Sequence, residues 1–206
     1  MSTPIQQVYI VDDDEAIRDS MSMLLETIDL PHQCFACATD FLDIYDGTQR
    51  GCLVLDIRMP VMNGLEMQQK LNDLDCLLPI IFMTGHGDIP MAVDAMRAGA
   101  LDFMRKPVRE QDLLDRIQQA LDHESGKFDL HAQMAEIRTR IATLTPKEHE
   151  IFDRVAEGQA NKVIAIELGV SERTVEVHRA QVMKKLDVRT LADLVRLKLT
   201  GESHSQ

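Results

Sequence analysis

Four short apolar runs, Val8–Val11, Cys52–Leu55, Ile80–Met83 and Leu101–Met104, are separated by stretches whose apolar residues recur at helical spacing. Strands buried on both faces read as such continuous runs, and their alternation with helices is the pattern of a parallel sheet covered on both sides. At or just beyond the end of each run stands a polar residue: Asp12 and Asp13, then Asp56, Thr84 and Lys106. Ligands of open parallel sheets sit outside the carboxyl ends of the strands, so all five residues are expected to converge on one pocket.

The first part reads as strand and then helix five times over. Helices are expected near Glu15–Ile28, Ala38–Tyr45, Gly64–Asp73, Ile89–Arg97 and Arg109–His123, joined by short Gly-, Pro- and Asp-containing loops. The expectation is an α/β domain over residues 1–123 with a doubly wound, five-stranded parallel sheet. Residues 124–141 place Phe128, Leu130, Met134, Ile137 and Ile141 at near-helical spacing with only Gly126 as an interruption, which predicts a helical linker.

Residues 142–206 are expected to form an all-α, four-helix domain. Thr145-Pro146-Lys147-Glu148 supplies an N-cap, a proline suited to the first helical position and the acid of a capping box. Helices over Asn161–Leu168 and Glu172–Leu186 flank Gly169-Val170-Ser171, where Gly169 can end one helix in the left-handed conformation and Ser171 can cap the next. Two helices about a tight glycine turn predict a helix-turn-helix, and a last helix near Leu191–Leu199 completes the unit.

The net charge of −12 at first opposes a nucleic-acid role, but it is unevenly placed. Residues 1–123 hold 9 Lys and Arg against 21 Asp and Glu, whereas residues 124–206 hold 13 of each. All the acidity lies in the first part. The chain has no apolar run near the about 18 residues that span a bilayer, and Met1-Ser2-Thr3-Pro4 leads into a strand pattern rather than a signal peptide; a cytoplasmic location is expected. Cys34, Cys37, Cys52 and Cys76 read as reduced packing residues. The Cys34–Cys37 spacing has no second ligand pair for zinc and opens no helix as a redox pair would.

Adjacent carboxylates repel one another unless a cation lies between them, so Asp12 and Asp13 with Asp56 opposite suit Mg²⁺, a hard ion that takes oxygen ligands. Asp56 can then act as a nucleophile toward a phosphoryl group, with Lys106 pairing to the phosphoryl oxygens and Thr84 donating its hydroxyl. Singly, each residue reads as a cap, a turn residue or a solvated charge; together, at successive strand ends, they read as a phosphoryl-accepting site. Asp14 is read as the cap of the first helix.

Val11-Asp12-Asp13-Asp14, Asp56-Ile57-Arg58-Met59-Pro60 with Asn63-Gly64, Thr84-Gly85-His86-Gly87-Asp88-Ile89-Pro90 and Phe103-Met104-Arg105-Lys106-Pro107 closely resemble the receiver domain of two-component response regulators. The resemblance covers about residues 5–122. It implies phosphorylation of Asp56 by a sensor histidine kinase and Mg²⁺ held directly by Asp13, with Asp12 contributing through water or directly, together with Asp56 and the backbone carbonyl of Arg58. It further implies Thr84 and Phe103 as a switch pair, and a Lys106-Pro107 bond that is often cis. His86 between glycines matches the Gly-His-Gly loop of the FixJ-like subfamily and is otherwise read as positional.

Leu144 through Gly158, Asn161-Lys162, Ile164-Ala165, Leu168-Gly169-Val170-Ser171, Thr174-Val175, His178-Arg179 and Lys185-Leu186 resemble the LuxR-type helix-turn-helix over about residues 142–200. Together the halves are similar to FixJ-like transcriptional response regulators. On the second helix, Val175, Val182 and Leu186 form an inward stripe. Arg173, Glu176, Val177, Ala180 and Lys184 then lie toward the major groove of double-stranded promoter DNA. Val177 and Ala180 suit thymine methyls, and Glu176 either accepts from cytosine N4 or repels phosphate. Arg173, Arg179, Lys184, Lys185 and Lys162 suit phosphate contacts, with Thr174 in the same motif. His178 is expected to pack against the neighbouring helix.

A neutral DNA-binding half tethered to an acidic one should bind weakly as a monomer, which makes a phosphorylation-dependent homodimer the expected control point, with RNA polymerase as a further partner. Two other classes stand beside this regulator. A phosphohydrolase would want a second Asp two residues after Asp56, where Arg58 stands, so no enzyme is expected. A scaffold with a vestigial pocket would take no label.

Overall fold

The computed structural model describes residues 5–85 and 89–202. His86, singled out above, lies outside the described residues. The chain divides into two compact units between Phe128 and Asp129, five residues beyond the expected domain end at His123.

In the first unit, β1 (Gln7–Val11), α1 (Glu15–Glu26), β2 (His32–Phe35), α2 (Ala38–Ile44), β3 (Gly51–Asp56), α3 (Gly64–Asp73), β4 (Ile80–Thr84), α4 (Ile89–Arg97) and β5 (Asp102–Arg105) alternate, and α5 (Glu110–Ala142) follows. The strands form one sheet in the order β2-β1-β3-β4-β5, with every neighbouring pair parallel. The order reverses between β1 and β3, and the crevice expected at such a switch point lies where Asp12 follows β1 and Asp56 ends β3.

Side-chain alternation sorts the runs into two cores. Tyr9, Val11, Leu53, Leu55, Ile80 and Phe82 pack with Phe41, Met67, Leu71 and Ala95 of α2, α3 and α4. Val8, Ile10, Cys52, Val54, Ile81 and Met83 pack with Met21, Leu25, Leu113 and Ile117 of α1 and α5. This is a five-stranded parallel, doubly wound α/β unit, as the sequence predicts. The edge strand β2 escapes the run pattern because only Phe35 of its four residues is buried.

Helix α1 stops two residues short of the expected Ile28. The Thr27 hydroxyl donates to the Leu24 carbonyl at 2.6 Å, and Asp29 turns the chain with φ 53°. Residues 110–142 form one helix of 33 residues that runs through Gly126.

The second unit contains the end of α5 with α6 (Pro146–Ala156), α7 (Asn161–Leu168), α8 (Glu172–Lys185) and α9 (Leu191–Glu202). Thr145 and Glu148 cap α6 reciprocally, with Pro146 at its start. Ile151, Phe152, Val155, Ile164, Val175, Val182, Leu186 and Leu194 form its core, onto which Ile137 and Ile141 of α5 pack. All four cysteines are free thiols.

Candidate functional site

Asp12 follows β1, Asp56 ends β3, Thr84 ends β4 and Lys106 follows β5, so four strands deliver four of the five predicted side chains to one edge of the sheet. Asp12, Asp56 and Thr84 are buried. The Lys106 ammonium donates to Asp12 Oδ2 at 2.5 Å and to Asp56 Oδ1 at 2.8 Å, and so lies between the two carboxylates. The other oxygen of Asp56 accepts the Arg58 backbone N–H at 2.7 Å. Thr84 offers its carbonyl to the Lys106 N–H at 2.7 Å, which joins the ends of β4 and β5, and the Lys106–Pro107 peptide is cis.

Asp12 is held from three sides. Its Oδ1 accepts the Asp14 N–H at 3.0 Å, its Oδ2 accepts Lys106, and its carbonyl accepts the Arg18 guanidinium at 2.7 Å. Burial nevertheless pushes its carboxyl above the usual carboxylate range, because desolvation outweighs the lowering by Lys106 and the Asp14 N–H. Lys106 is raised as well: burial works against its charge, but the bonds to Asp12 and Asp56 more than offset it.

Asp13 is exposed, and Asp14 caps α1 by accepting the Ala16 N–H at 2.9 Å. Among the described residues no three acidic or His/Cys side chains converge in a metal-ligating arrangement, and Lys106 bridges Asp12 to Asp56. Phe103 is half-buried against the core that holds Phe82 and Ala95.

The loop from Asp56 to α3 is closed tightly. Asn63 and Glu66 form a capping box, the Gly64 N–H reaches the Ile57 carbonyl at 2.9 Å, and a Cβ on Gly64 would stand 2.4 Å from the Asp56 carbonyl oxygen. Only glycine fits that approach.

In the second unit, α7 ends at Gly169 with φ 64°, and Ser171 caps α8 by accepting the Thr174 N–H at 3.1 Å. Val175, Val182 and Leu186 are buried, whereas Arg173, Glu176, Val177, Ala180, Lys184 and, on α7, Lys162 are exposed. Thr174 is half-buried, with its hydroxyl 2.8 Å from that of Ser171.

Three of the predicted phosphate contacts are engaged within the unit, the first being Arg173, which donates to the Glu176 carboxylate at 3.1 Å. Arg179 donates to Asn161 Oδ1 at 3.0 Å, and Lys185 donates to the buried Glu148 carboxylate at 2.6 Å. The tie from Lys185 to the α6 cap was not visible in the sequence, which shows the capping box but not what faces it. His178 is half-buried, and its Nδ1 has no hydrogen-bond partner among the described residues.

Residues 8–118 match the response regulator receiver domain, and residues 142–198 match the bacterial regulatory proteins of the luxR family. The chain belongs to the two-component response regulators with a LuxR-type DNA-binding domain. The response regulator protein TmoT of Ectopseudomonas mendocina is 46% identical over 92% of this chain and 86% of its own. The transcriptional regulatory protein FixJ of Bradyrhizobium diazoefficiens is 40% identical over 92% of this chain and 93% of its own. Among solved structures, the response regulator StyR is similar with a TM-score of 0.84 and 42% identity, over 95% of this regulator and 98% of that chain. A receiver domain implies a histidine kinase as partner, and a LuxR-type domain implies DNA. No described helix of this regulator is long and apolar enough to cross a membrane.

Proposed function

We propose that this response regulator accepts a phosphoryl group on Asp56 and that the modified receiver favours a dimer competent to bind promoter DNA. The observation that carries the reading is the placement of the Asp56 carboxylate, buried at the end of β3 between the Lys106 ammonium and the Arg58 N–H. An Asp56 oxygen attacks the phosphorus of a kinase phosphohistidine. The new O–P bond forms as the P–N bond breaks, and the imidazole nitrogen leaves with the electron pair. Lys106 is placed to follow the added charge, since an ammonium already 2.8 Å from the acceptor can pair with phosphoryl oxygens.

The three carboxyl groups of Asp12, Asp13 and Asp56 outnumber the one ammonium of Lys106 and offer a donor set of hard oxygens. Although the three carboxylates do not converge in this structure, they and the Arg58 carbonyl would hold Mg²⁺, which would shield the attacking and incoming anions from each other. Thr84 and Phe103 form the switch pair: the hydroxyl turns to the phosphoryl group and the ring fills the space released. The surface of α4, β5 and α5 changes with it and favours a homodimer.

On DNA, Glu176, Val177 and Ala180 face the bases, while Arg173, Thr174, Lys162 and Lys184 contact the backbone, with Arg179 and Lys185 supporting the helix. RNA polymerase is the downstream partner, and the cytoplasm is the place of action. Arg58, where a hydrolase would want its acid, supports a regulator whose turnover is limited to slow self-dephosphorylation. Domains are assigned as receiver over 1–123, linker over 124–141 and DNA-binding domain over 142–206.

The test is Mg²⁺-dependent labelling by radioactive acetyl phosphate, followed by footprinting on genomic DNA. Wild type is expected to take up label and Asp56→Asn none. Equal labelling of the two, or identical footprints with and without the donor, rejects the reading.

A further inference from the structure

Away from the phosphoacceptor, at the opposite end of β3, a buried cluster ties α5 to the sheet. Arg50, immediately before β3, is 6% exposed, and Glu124 of α5 is 1% exposed. The two meet in a fork, with Arg50 Nε 2.6 Å from Glu124 Oε1 and Nη2 3.0 Å from Oε2. The Gln6 amide donates to Glu124 Oε2 at 2.6 Å, to the Leu121 carbonyl at 2.9 Å and to the Ser125 hydroxyl at 3.1 Å. The Phe128 ring covers the guanidinium at 3.6 Å from its centroid. The charge of Glu124 is felt beneath it, since burial and then that carboxylate push the Cys52 thiol up to about 12.

The residues of α5 in this cluster, Leu121, Glu124, Ser125 and Phe128, lie three and four apart on one helical face. The sheet side is built to meet them. Gly51 has φ 125°, and a Cβ there would fall 1.8 Å from the Gln7 carbonyl oxygen, so the start of β3 is pressed against β1 with Arg50 aimed at α5. On another side of the same turn, His123 and Lys127 border a cavity of about 430 Å³ at the base of β4 and β5. Beyond Phe128, residues 129–133 are all exposed. Gly126, the weakest helix former after proline, sits inside this turn with nothing within 4 Å of its would-be Cβ. The helix is therefore held at its weakest point by one polar cluster.

We propose that Arg50, Glu124 and Phe128 form a latch that keeps α5 helical across Gly126, and that through this latch the receiver governs the order of the connector leading to the DNA-binding unit. Its regulatory half rests on the phosphoacceptor reading above. Strand β3 carries Asp56 at one end and adjoins Arg50 at the other, so a shift of the strand moves the guanidinium against Glu124. An ion pair this buried, made in a fork under an aromatic ring, has a narrow range of satisfactory geometries. It responds to displacement as a two-state element rather than a soft spring.

The test is amide hydrogen–deuterium exchange of the full chain over residues 122–136, with and without acetyl phosphate and Mg²⁺. The variants are Phe128→Ala, which leaves the charges paired, and Arg50→Met with Glu124→Leu, which removes both charges together and leaves none buried alone. Exchange in this window is expected to rise at least tenfold in either variant, while peptides within β3 and β4 stay unchanged. Adding Gly126→Ala should return it toward wild type, because the helix then no longer depends on the latch. In wild type the phosphodonor should change exchange in the window at least threefold, and in the variants it should change nothing further.

Unchanged exchange in both variants, or an equal response to the donor with and without the latch, overturns the proposal. A chain that takes no label from acetyl phosphate, yet loses protection when the latch is broken, sinks the phosphoacceptor reading and keeps the latch as the holder of the helix.

Discussion

Lys106 lies 2.8 Å from Asp56 and bridges it to Asp12, so the residue proposed to meet the phosphoryl oxygens is the counter-charge of the proposed acceptor. Replacing it by methionine leaves two buried carboxylates without their ammonium. Asp12 should then bind its proton more tightly still. Because burial already holds the folded Asp12 above its unfolded value, the folded state binds the extra proton. Stability falls as pH rises from the ordinary carboxylate range through the folded value. Lys106→Met should widen that falling window upward in pH and cost about 3 kcal/mol at neutral pH, whereas Asp12→Asn in the same background should flatten it. Urea titrations between pH 4 and pH 8 read both effects.

Gly64 sets how closely α3 approaches the acceptor loop. A Cβ there would meet the Asp56 carbonyl at 2.4 Å, Phe82 Cε1 at 3.0 Å and Ile57 Cα at 3.1 Å, and two of those three atoms are backbone. Gly64→Ala should therefore destabilise the receiver by about 1–3 kcal/mol, the range for overpacking a filled site. It should also slow labelling of Asp56 by acetyl phosphate, since relief of the clash must move the acceptor peptide. Unchanged labelling in a destabilised variant would mean that the loop yields on the α3 side alone.

The receiver was legible because parallel strands buried on both faces leave continuous apolar runs, and the chemistry stands where those runs end. Asp12, Asp56, Thr84 and Lys106 could be found from that rule alone. Asp13 could not be separated from Asp12, since the rule does not say which neighbour faces inward; the fold buries Asp12 and exposes Asp13. Strand β2 was weak for the converse reason, with one buried residue in four. Pairings across long sequence distances left no trace in composition or period. Arg50 with Glu124 and Lys185 with Glu148 are such cases, and each depends on which face of a helix a charge occupies.

Lys184 and Lys185 show this most directly, being adjacent in sequence and about 100° apart around α8. Both are exposed, but Lys185 bonds Glu148 Oε2 at 2.6 Å and lies 3.4 Å from the Thr143 carbonyl. Lys184→Ala should lower the slope of log affinity against log salt by about 0.9, the value for one lost phosphate contact on duplex DNA. Lys185→Ala should leave that slope unchanged and instead lower the melting temperature of the second unit. A lowered slope for Lys185→Ala would place its ammonium on DNA after all.

Glu148 contributes to the pH dependence of the same unit, beside Asp193, whose carboxyl is lowered chiefly by its bond to the Thr190 hydroxyl. Lys185, with the Thr145 N–H and hydroxyl, holds the Glu148 carboxyl down to about 2 from an ordinary value of 4.5. A depressed acid stabilises the fold when ionised, so its contribution is fully present above the unfolded value and is lost as pH falls through the folded one. The second unit should accordingly lose stability between about pH 4.5 and pH 2. Glu148→Gln should remove the Glu148 share of that acid limb, because the amide cannot ionise, while keeping much of the cap through its carbonyl oxygen. Lys185→Met should shift the limb to higher pH by releasing the carboxylate toward its ordinary value. Thermal unfolding of the full chain, followed by NMR on Val175 and Val182 methyl groups in the core of this unit, separates these outcomes. An acid limb that persists unaltered in Glu148→Gln would assign it to another carboxylate.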